Sequence, residues 1–377
     1  MRIGKIKVNH YINYVVIGLL TVVLGTISLT GGRLDNSLLF LMEKMAISII
    51  LAVSLSLVVG FLGELSLGHA GFMCVGAYLG GKVAALLVPV LGNGLAAFAI
   101  SLLAGSAAAA LCGVIIGIPA LRLRGDYLAI VTLAFGEIVK SLFQNTSDES
   151  FGGTLGLETP RFNKQYLFII AFVLVLVTLA VVQNFIRSKH GRAVTAIRDN
   201  EIAAKATGIN VTKYKLITFT ISAAFAGVAG VLYSYSNYTV QSAKFSYNYS
   251  IEILVMVVLG SMGSINGSIV AAALITWLNT WLPTKLTGDL AVLQNLLYAL
   301  ILIVLVIYNN APALKGVRDK YNFSTLLGKL QKHDPAHIRD DKAKWDVVPT
   351  KISMDEILSV DITQQKLSED HKKGGDR

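Results

Sequence analysis

Long uncharged runs constrain this chain more than any other feature. Tyr11–Thr30, Met45–Leu62, Val83–Leu121, Tyr166–Ile186, Leu216–Gln241, Ile253–Pro283 and Leu290–Tyr308 contain no Asp, Glu, Lys or Arg. A hydrocarbon core about 30 Å thick takes about 20 helical residues, so each run is of spanning length. Inside a bilayer no water satisfies the backbone, so only helices and closed barrels can cross. A barrel would read as short alternating segments, and none is present here. Charged residues make up only 15% of the chain, against about a quarter in soluble domains. The expected fold class is therefore all-α, a polytopic transmembrane helical bundle of about eight to ten membrane segments, some short or broken.

Charge placement orients the runs. The net charge of +10 is read as loops held on the cytoplasmic side by the positive-inside bias, rather than as a nucleic-acid surface. Arg2, Lys5 and Lys7 precede the first run, which is read as an uncleaved helix starting inside. The pair in RLRGDY, Arg122–Tyr127, also falls inside, and the polar loop Gln144–Gln165 falls outside. Pro89, Gly92, Asn93 and Gly94 mark a turn within Val83–Leu121, and Asp126 is placed to cap the next expected span, Tyr127–Phe143, which carries Glu137. The run Ile253–Pro283 is too long for one crossing and holds GSMGSING (Gly260–Gly267). If the last run ends inside, this stretch must cross twice or dip in and out, as a half-helix, a glycine break and a second helix. Residues 1–308 thus form a multi-pass cell-membrane domain with both termini of the chain cytoplasmic. Residues 309–377 form a charged cytoplasmic tail, partly disordered, in which ISMDEILSV is suited to a short amphipathic helix.

The loop 187–215 stands apart. Arg187, Lys189, Arg192, Arg198, Lys205, Lys213 and Lys215 face only Asp199 and Glu201, so the loop is cytoplasmic. Within it Glu201, Ala203, Ala204 and Gly208 describe a short acidic-then-small helix ended by glycine, suited to docking a partner. Small residues recur in LSLGHAGFMCVGAYLGG (Leu65–Gly81), which belongs near the centre of a packed bundle. Glycine-interrupted segments in both halves point to a transport pathway, and Ser66, His69, Glu137, Gly260 and Gly263 are its candidate residues. The ionisable groups have structural alternatives: His69 can bond a neighbouring helix, Glu137 can be hydrogen-bonded in the bundle, and Glu64, at a span end, can reach interface water. Cys74 and Cys112 lie in apolar surroundings and read as inert thiols, with no disulfide or metal site.

No GxxxxGK[ST], HExxH, CxxC or GxSxG motif occurs, so no enzyme is expected and no cofactor is bound by this chain. Any use of ATP requires a separate subunit. An ion-coupled secondary transporter is a competing reading, with only Glu137 and His69 as coupling groups.

Several segments resemble a known family. LSLGHAGF (Leu65–Phe72), GDYLAIVTLAFGEIVK (Gly125–Lys140), RAVTAIRDNEIAAKATGIN (Arg192–Asn210) and VMVVLGSMGSINGSIVAAALI (Val255–Ile275) are similar to LivM-type permeases of branched-chain amino-acid ATP-binding-cassette importers. The resemblance runs from about Leu38 to Tyr308. It implies a second homologous permease of LivH type, two cytoplasmic ATPase subunits that bind the ATP, and an extracytoplasmic solute-binding protein delivering leucine, isoleucine or valine. A related importer for urea, an amide or a nucleoside would use the same scaffold. The resemblance also implies that Arg198, Asp199, Glu201, Ala203, Ala204 and Gly208 form the loop that docks on the ATPase.

Overall fold

The computed structural model describes residues 35–285, apart from Asn93, Arg124 and Arg161, together with Ile17, Gly18, Thr21, Leu300 and Ile303. Apart from those five single residues, the runs Tyr11–Thr30 and Leu290–Tyr308 lie outside the described residues, as does the whole of 309–377 with its ISMDEILSV segment. The described helices are α1 (Asn36–Ser56, continued as a π-helical stretch Leu57–Leu62), α2 (His69–Leu91), α3 (Leu95–Ala120), α4 (Asp126–Gln144), α5 (Asp148–Phe151) and α6 (Lys164–Arg187). After them come α7 (Lys189–Asp199), α8 (Glu201–Ala206), α9 (Val211–Asn237), α10 (Tyr247–Leu259) and α11 (Ile265–Lys285). Two-residue strands β1 (Leu157–Glu158) and β2 (Thr239–Val240) form one antiparallel ladder. Six of these helices are long and apolar enough to cross a membrane, so the chain is a polytopic helical membrane protein; α4, expected as a span over Tyr127–Phe143, is not one of the six.

Burial ranks the helices. In α1, 89% of the apolar window is buried inside the bundle, against 22% for α3. α1 is therefore the central post, packed against α6, α9 and α11. α3 instead buries a stripe of small residues (Ala97, Ser101, Gly105, Ala109, Gly113, Gly117) and exposes Ile100, Leu103, Leu111, Ile115 and Ile118. A helix with small residues on its buried face and branched aliphatics outside suits close packing within lipid. Its small face meets α9, and α2 completes a tight three-helix unit. A Cβ on Gly76 of α2 would come 2.4 Å from the Gly227 carbonyl oxygen of α9, so only glycine lets these two backbones touch.

The contacts also sort the ends of the bundle. At one end, Thr159 beside β1 donates its hydroxyl to the Ser234 carbonyl at 2.6 Å, and the Tyr78 hydroxyl donates to the Val240 carbonyl at 3.0 Å. The first bond ties the loop after α4 to the end of α9, and the second ties α2 to β2. The segment 187–215 sits at the opposite end, between the last turn of α6 and the first of α9.

Three local expectations are corrected. α1 begins at Asn36, not Met45, with Asp35 capping it by accepting from the Ser37 amide. Pro89 lies inside α2, and the turn falls at Gly92 and Gly94. Asp126 does not cap α4: Gly125, at φ +58, holds the cap position, and Asp126 is the first helical residue. There its carboxylate still favours the positive end of the helix dipole. The run Ile253–Pro283 has the expected form, α10 ending at Gly260 and α11 starting at Ile265. The glycine-rich run lies outside helix only over Leu65–Gly68 and then enters α2 unbroken.

Candidate functional site

The segment between α6 and α9 is built from three local devices. Ser188 opens α7 by accepting from the His190 and Gly191 amides at 3.1 and 3.3 Å. A Cβ on Gly191 would meet the Ile186 carbonyl oxygen at 2.1 Å, so the α6–α7 corner needs glycine. Asn200 then breaks the helix: its backbone is extended, and its side-chain oxygen accepts from the Ile202 and Ala203 amides, both at 3.0 Å. This is strong N-cap chemistry, and it turns α8 away from α7. Gly208 ends α8 at φ +84 with open space around its α-carbon, and the Ile209 amide bonds back to the Ala204 carbonyl at 3.1 Å.

α7 is amphipathic, with Gly191, Ala193, Val194 and Ile197 buried toward the bundle. On α8 only Ala204 is buried; Ile202 is 76% exposed, and Ala203, Lys205, Ala206 and Gly208 are exposed beside it. Ala203 and Ala204, expected to act together, therefore divide their roles. Ala204 seats α8 on the bundle and Ala203 faces outward. The resulting surface is small, uncharged at its centre and rimmed by lysine, with one protruding isoleucine that sequence reading passed over.

Two polar anchors fasten this surface to the membrane helices. Lys215, in the second turn of α9 with its side chain 4% exposed, contacts Glu64 at 2.5 Å and Glu201 at 3.2 Å. Glu201 also pairs with Lys205 at 2.7 Å. The Lys205 hydrogen bond, with help from Lys215 and against some desolvation, holds the Glu201 carboxyl below the usual carboxylate range. A buried lysine needs such partners, because an isolated ammonium out of water is costly. The second anchor is Arg198. Its guanidinium is oriented by Asp199 (3.1 and 3.0 Å) and donates to the Gly60 carbonyl at 3.1 Å. Gly60 lies in the π-helical end of α1, where main-chain acceptors can be left free of regular pairing. A Cβ there would meet the Gly263 amide nitrogen at 2.5 Å. Arg198 thus touches the place where α1 meets the α10–α11 break.

The candidate pathway residues do not form one site. Ser66 and His69 are buried, and His69 Nε2 lies 2.8 Å from the Ser54 hydroxyl of α1. Glu137 pairs with Lys140 and accepts the Tyr247 amide at 2.9 Å, so it caps α10 from a neighbouring helix. Gly260 packs against Gly267 and Ser268 within the break. Gly263 belongs with the Arg198 anchor. Lys215, Glu64 and Gly60 are the residues sequence reading underrated: Glu64 and Lys215 are 151 positions apart, and no local spacing pairs them. The one available signal was a lysine just ahead of the long uncharged run Leu216–Gln241.

Comparison with known proteins agrees with this architecture. The family described as "Branched-chain amino acid transport system / permease component" matches residues 37–307. The high-affinity branched-chain amino acid transport system permease protein LivM of Salmonella typhimurium is 36% identical over 260 residues, covering 61% of this chain and 60% of that protein. A probable LivH permease of Methanocaldococcus jannaschii is 27% identical over 142 residues, or 38% of this chain and 44% of that one. The ribose import permease protein RbsC of Escherichia coli is 26% identical over 165 residues, 42% of this chain and 47% of its own length. The chain thus spans about three fifths of the length of its LivM relative. Since the family match takes in every described helix from α1 to α11, the chain belongs to the branched-chain amino acid transport system permease components.

Proposed function

We propose that this chain is the permease subunit of an ATP-driven importer of branched-chain amino acids, forming half of the translocation path and taking its driving force from a separate ATPase. The observation that carries the reading is the doubly anchored α7–α8 surface. Ile202, Ala203, Ala206 and Gly208 present a small docking face, while Lys215 and Arg198 tie that face to α9, to the end of α1 and to the α10–α11 break. A partner that moved the face would move three membrane elements together. The face is cytoplasmic by its basic flanks, which puts both termini of the chain inside and the β1–β2 end outside. Residues 1–308 then act as the permease domain and 309–377 as a cytoplasmic tail.

The partners in this reading are two cytoplasmic ATPases, a second permease of LivH type and an extracytoplasmic binding protein. Similarity of this one chain to both a LivM and a LivH protein is what a pair of related permeases would produce. The chain performs no chemical step. It offers two arrangements between which ATP binding shifts the population. An ion-coupled mechanism is less suited, because its two coupling candidates are engaged locally, Glu137 by Lys140 and Tyr247, and His69 by Ser54.

The test is Ala203→Trp, which places a bulky ring on the exposed docking face and leaves the glycine turn at Gly208 intact. The variant should insert and purify normally but lose the ATPase on co-purification. Retention of the ATPase at the wild-type ratio would refute the docking assignment.

A further inference from the structure

A cavity of about 330 Å³ lies among α1, α9, α10 and α11, at the end of the bundle opposite α7–α8. Neither anchor reaches it, and none of the pathway residues expected from sequence lines it. That volume is at the small end of the range for ligand pockets, suited to an amino-acid-sized molecule. Its wall carries both signs of charge: Lys44 of α1 and Lys244 beyond α9 supply cations, and Glu252 of α10 supplies an anion.

The polar groups are arranged rather than scattered. Asn279 of α11 donates to Glu252 at 2.7 Å and orients the carboxylate. The Lys44 ammonium sits 4.5 Å over the Phe40 ring, which steadies it without neutralising it. The Thr276 hydroxyl, on α11, is buried in this wall and has no hydrogen-bond partner among the described residues. A buried hydroxyl left unpaired carries a free-energy cost that a bound ligand would remove. Ile47, Tyr233 and Phe245 give the cavity an apolar side.

We propose that this cavity binds a zwitterionic α-amino acid with an apolar side chain. The ammonium faces Glu252, the carboxylate faces Lys44 and the Thr276 hydroxyl, and the side chain lies on Ile47 and Phe245. A simple anion would meet Glu252 and a simple cation would meet two lysines; a zwitterion satisfies both signs. The four walls are also the elements gripped at the other end. Gly60 lies in the π-helical end of α1, Lys215 in the second turn of α9, and Gly263 in the break between α10 and α11. A movement of α7–α8 therefore reaches every wall of the cavity through rigid helices. The proposal rests on the transport reading for its role and extends it by naming the site.

The experiment is equilibrium binding of labelled leucine to the whole transporter assembly in nanodiscs, without the binding protein. Leucinamide, which lacks the carboxylate, and 4-methylpentanoate, which lacks the ammonium, serve as competitors. Leucine should compete at least about tenfold better than either, as expected for losing one charge-assisted contact. Glu252→Gln should erase the penalty against 4-methylpentanoate, and Lys44→Met the penalty against leucinamide. Thr276→Val keeps the shape of the side chain and should weaken leucine by about tenfold at unchanged yield. These ratios do not depend on how much protein folds. An unchanged analogue pattern in all three variants overturns the site, as does ATP-driven leucine uptake by all three at the wild-type rate, which leaves the transport reading standing. If the wild-type assembly takes up no branched-chain amino acid, yet another amino acid binds with the same charge pattern, the site is supported and the transport reading falls.

Discussion

At the scale of single residues, Lys215 decides more than its sequence neighbourhood suggests. It is nearly buried between Glu64 and Glu201, so its loss leaves a carboxylate without its counter-charge in a poorly solvated place. Lys215→Met should destabilise the bundle by about 3 kcal/mol, read as a lower thermal-unfolding midpoint in detergent. Adding Glu64→Gln to that variant should recover part of the loss, because the stranded charge is then gone. Glu201 gives a second, pH-dependent prediction. Its folded carboxyl titrates below the ordinary value of 4.5, chiefly through the Lys205 hydrogen bond. A depressed carboxylate stabilises the fold fully above its unfolded pKa and loses that contribution as pH falls through the folded one. Amide-exchange protection of residues 202–206, corrected for intrinsic rates, should hold at neutral pH and decline only below 4.5. In Glu201→Gln the protection should be reduced already at pH 7, where the wild-type carboxylate is ionised.

Among the elements, the junction of α1 with the α10–α11 break carries the mechanical argument. Gly60 and Gly263 meet backbone to backbone, with Arg198 bonded to the Gly60 carbonyl. Gly60→Val would force these elements apart, since the nearest atoms are main chain and cannot give way. The expected outcome is an assembly that still hydrolyses ATP but imports solute at least about tenfold more slowly, the signature of a severed linkage rather than a lost partner. ATP hydrolysis and uptake measured in the same proteoliposomes check it, and parallel loss of both would point to misfolding. Arg198→Ala should give a milder form of the same split. The π-helical end of α1 was not visible in the uncharged run Met45–Leu62. Nothing in period or composition separates a π-helical turn from an α-helical one, because the difference lies in whether each amide bonds the carbonyl five or four residues back in the same helix.

For the whole molecule, the contacts divide the chain into two faces, one with α7–α8 and one with the β1–β2 ladder and the charged cavity. Topology can be read directly with introduced cysteines. The native Cys74 is buried and Cys112 half-buried, so background labelling is low. In intact cells a membrane-impermeant maleimide should label Leu155→Cys, which is exposed beside the ladder, and should reach Thr207→Cys, exposed after α8, only once the membrane is opened. The reverse pattern would place the docking surface outside and remove any role for a cytoplasmic ATPase. This division into faces was largely legible from charge alone: basic residues crowd 187–215, and the loop Gln144–Gln165 carries both signs. The cavity was not, since Lys44, Glu252 and Asn279 each look like an isolated polar residue at the end of an apolar run.

The sequence by itself determined the class of the fold, the α10–α11 break and the position of the basic segment 187–215. Those follow from hydrophobic length, glycine placement and the clustering of positive charge, all of which are local or additive along the chain. Tertiary structure alone decided that Lys215 joins Glu64 to Glu201, that Arg198 reads the end of α1, and that Glu137 caps α10. It also decided that one cavity gathers three charges, from α1, α10 and the segment after α9. Such pairings depend on how helices far apart in sequence are laid side by side, and in a bundle held by close backbone contact a single glycine sets that register.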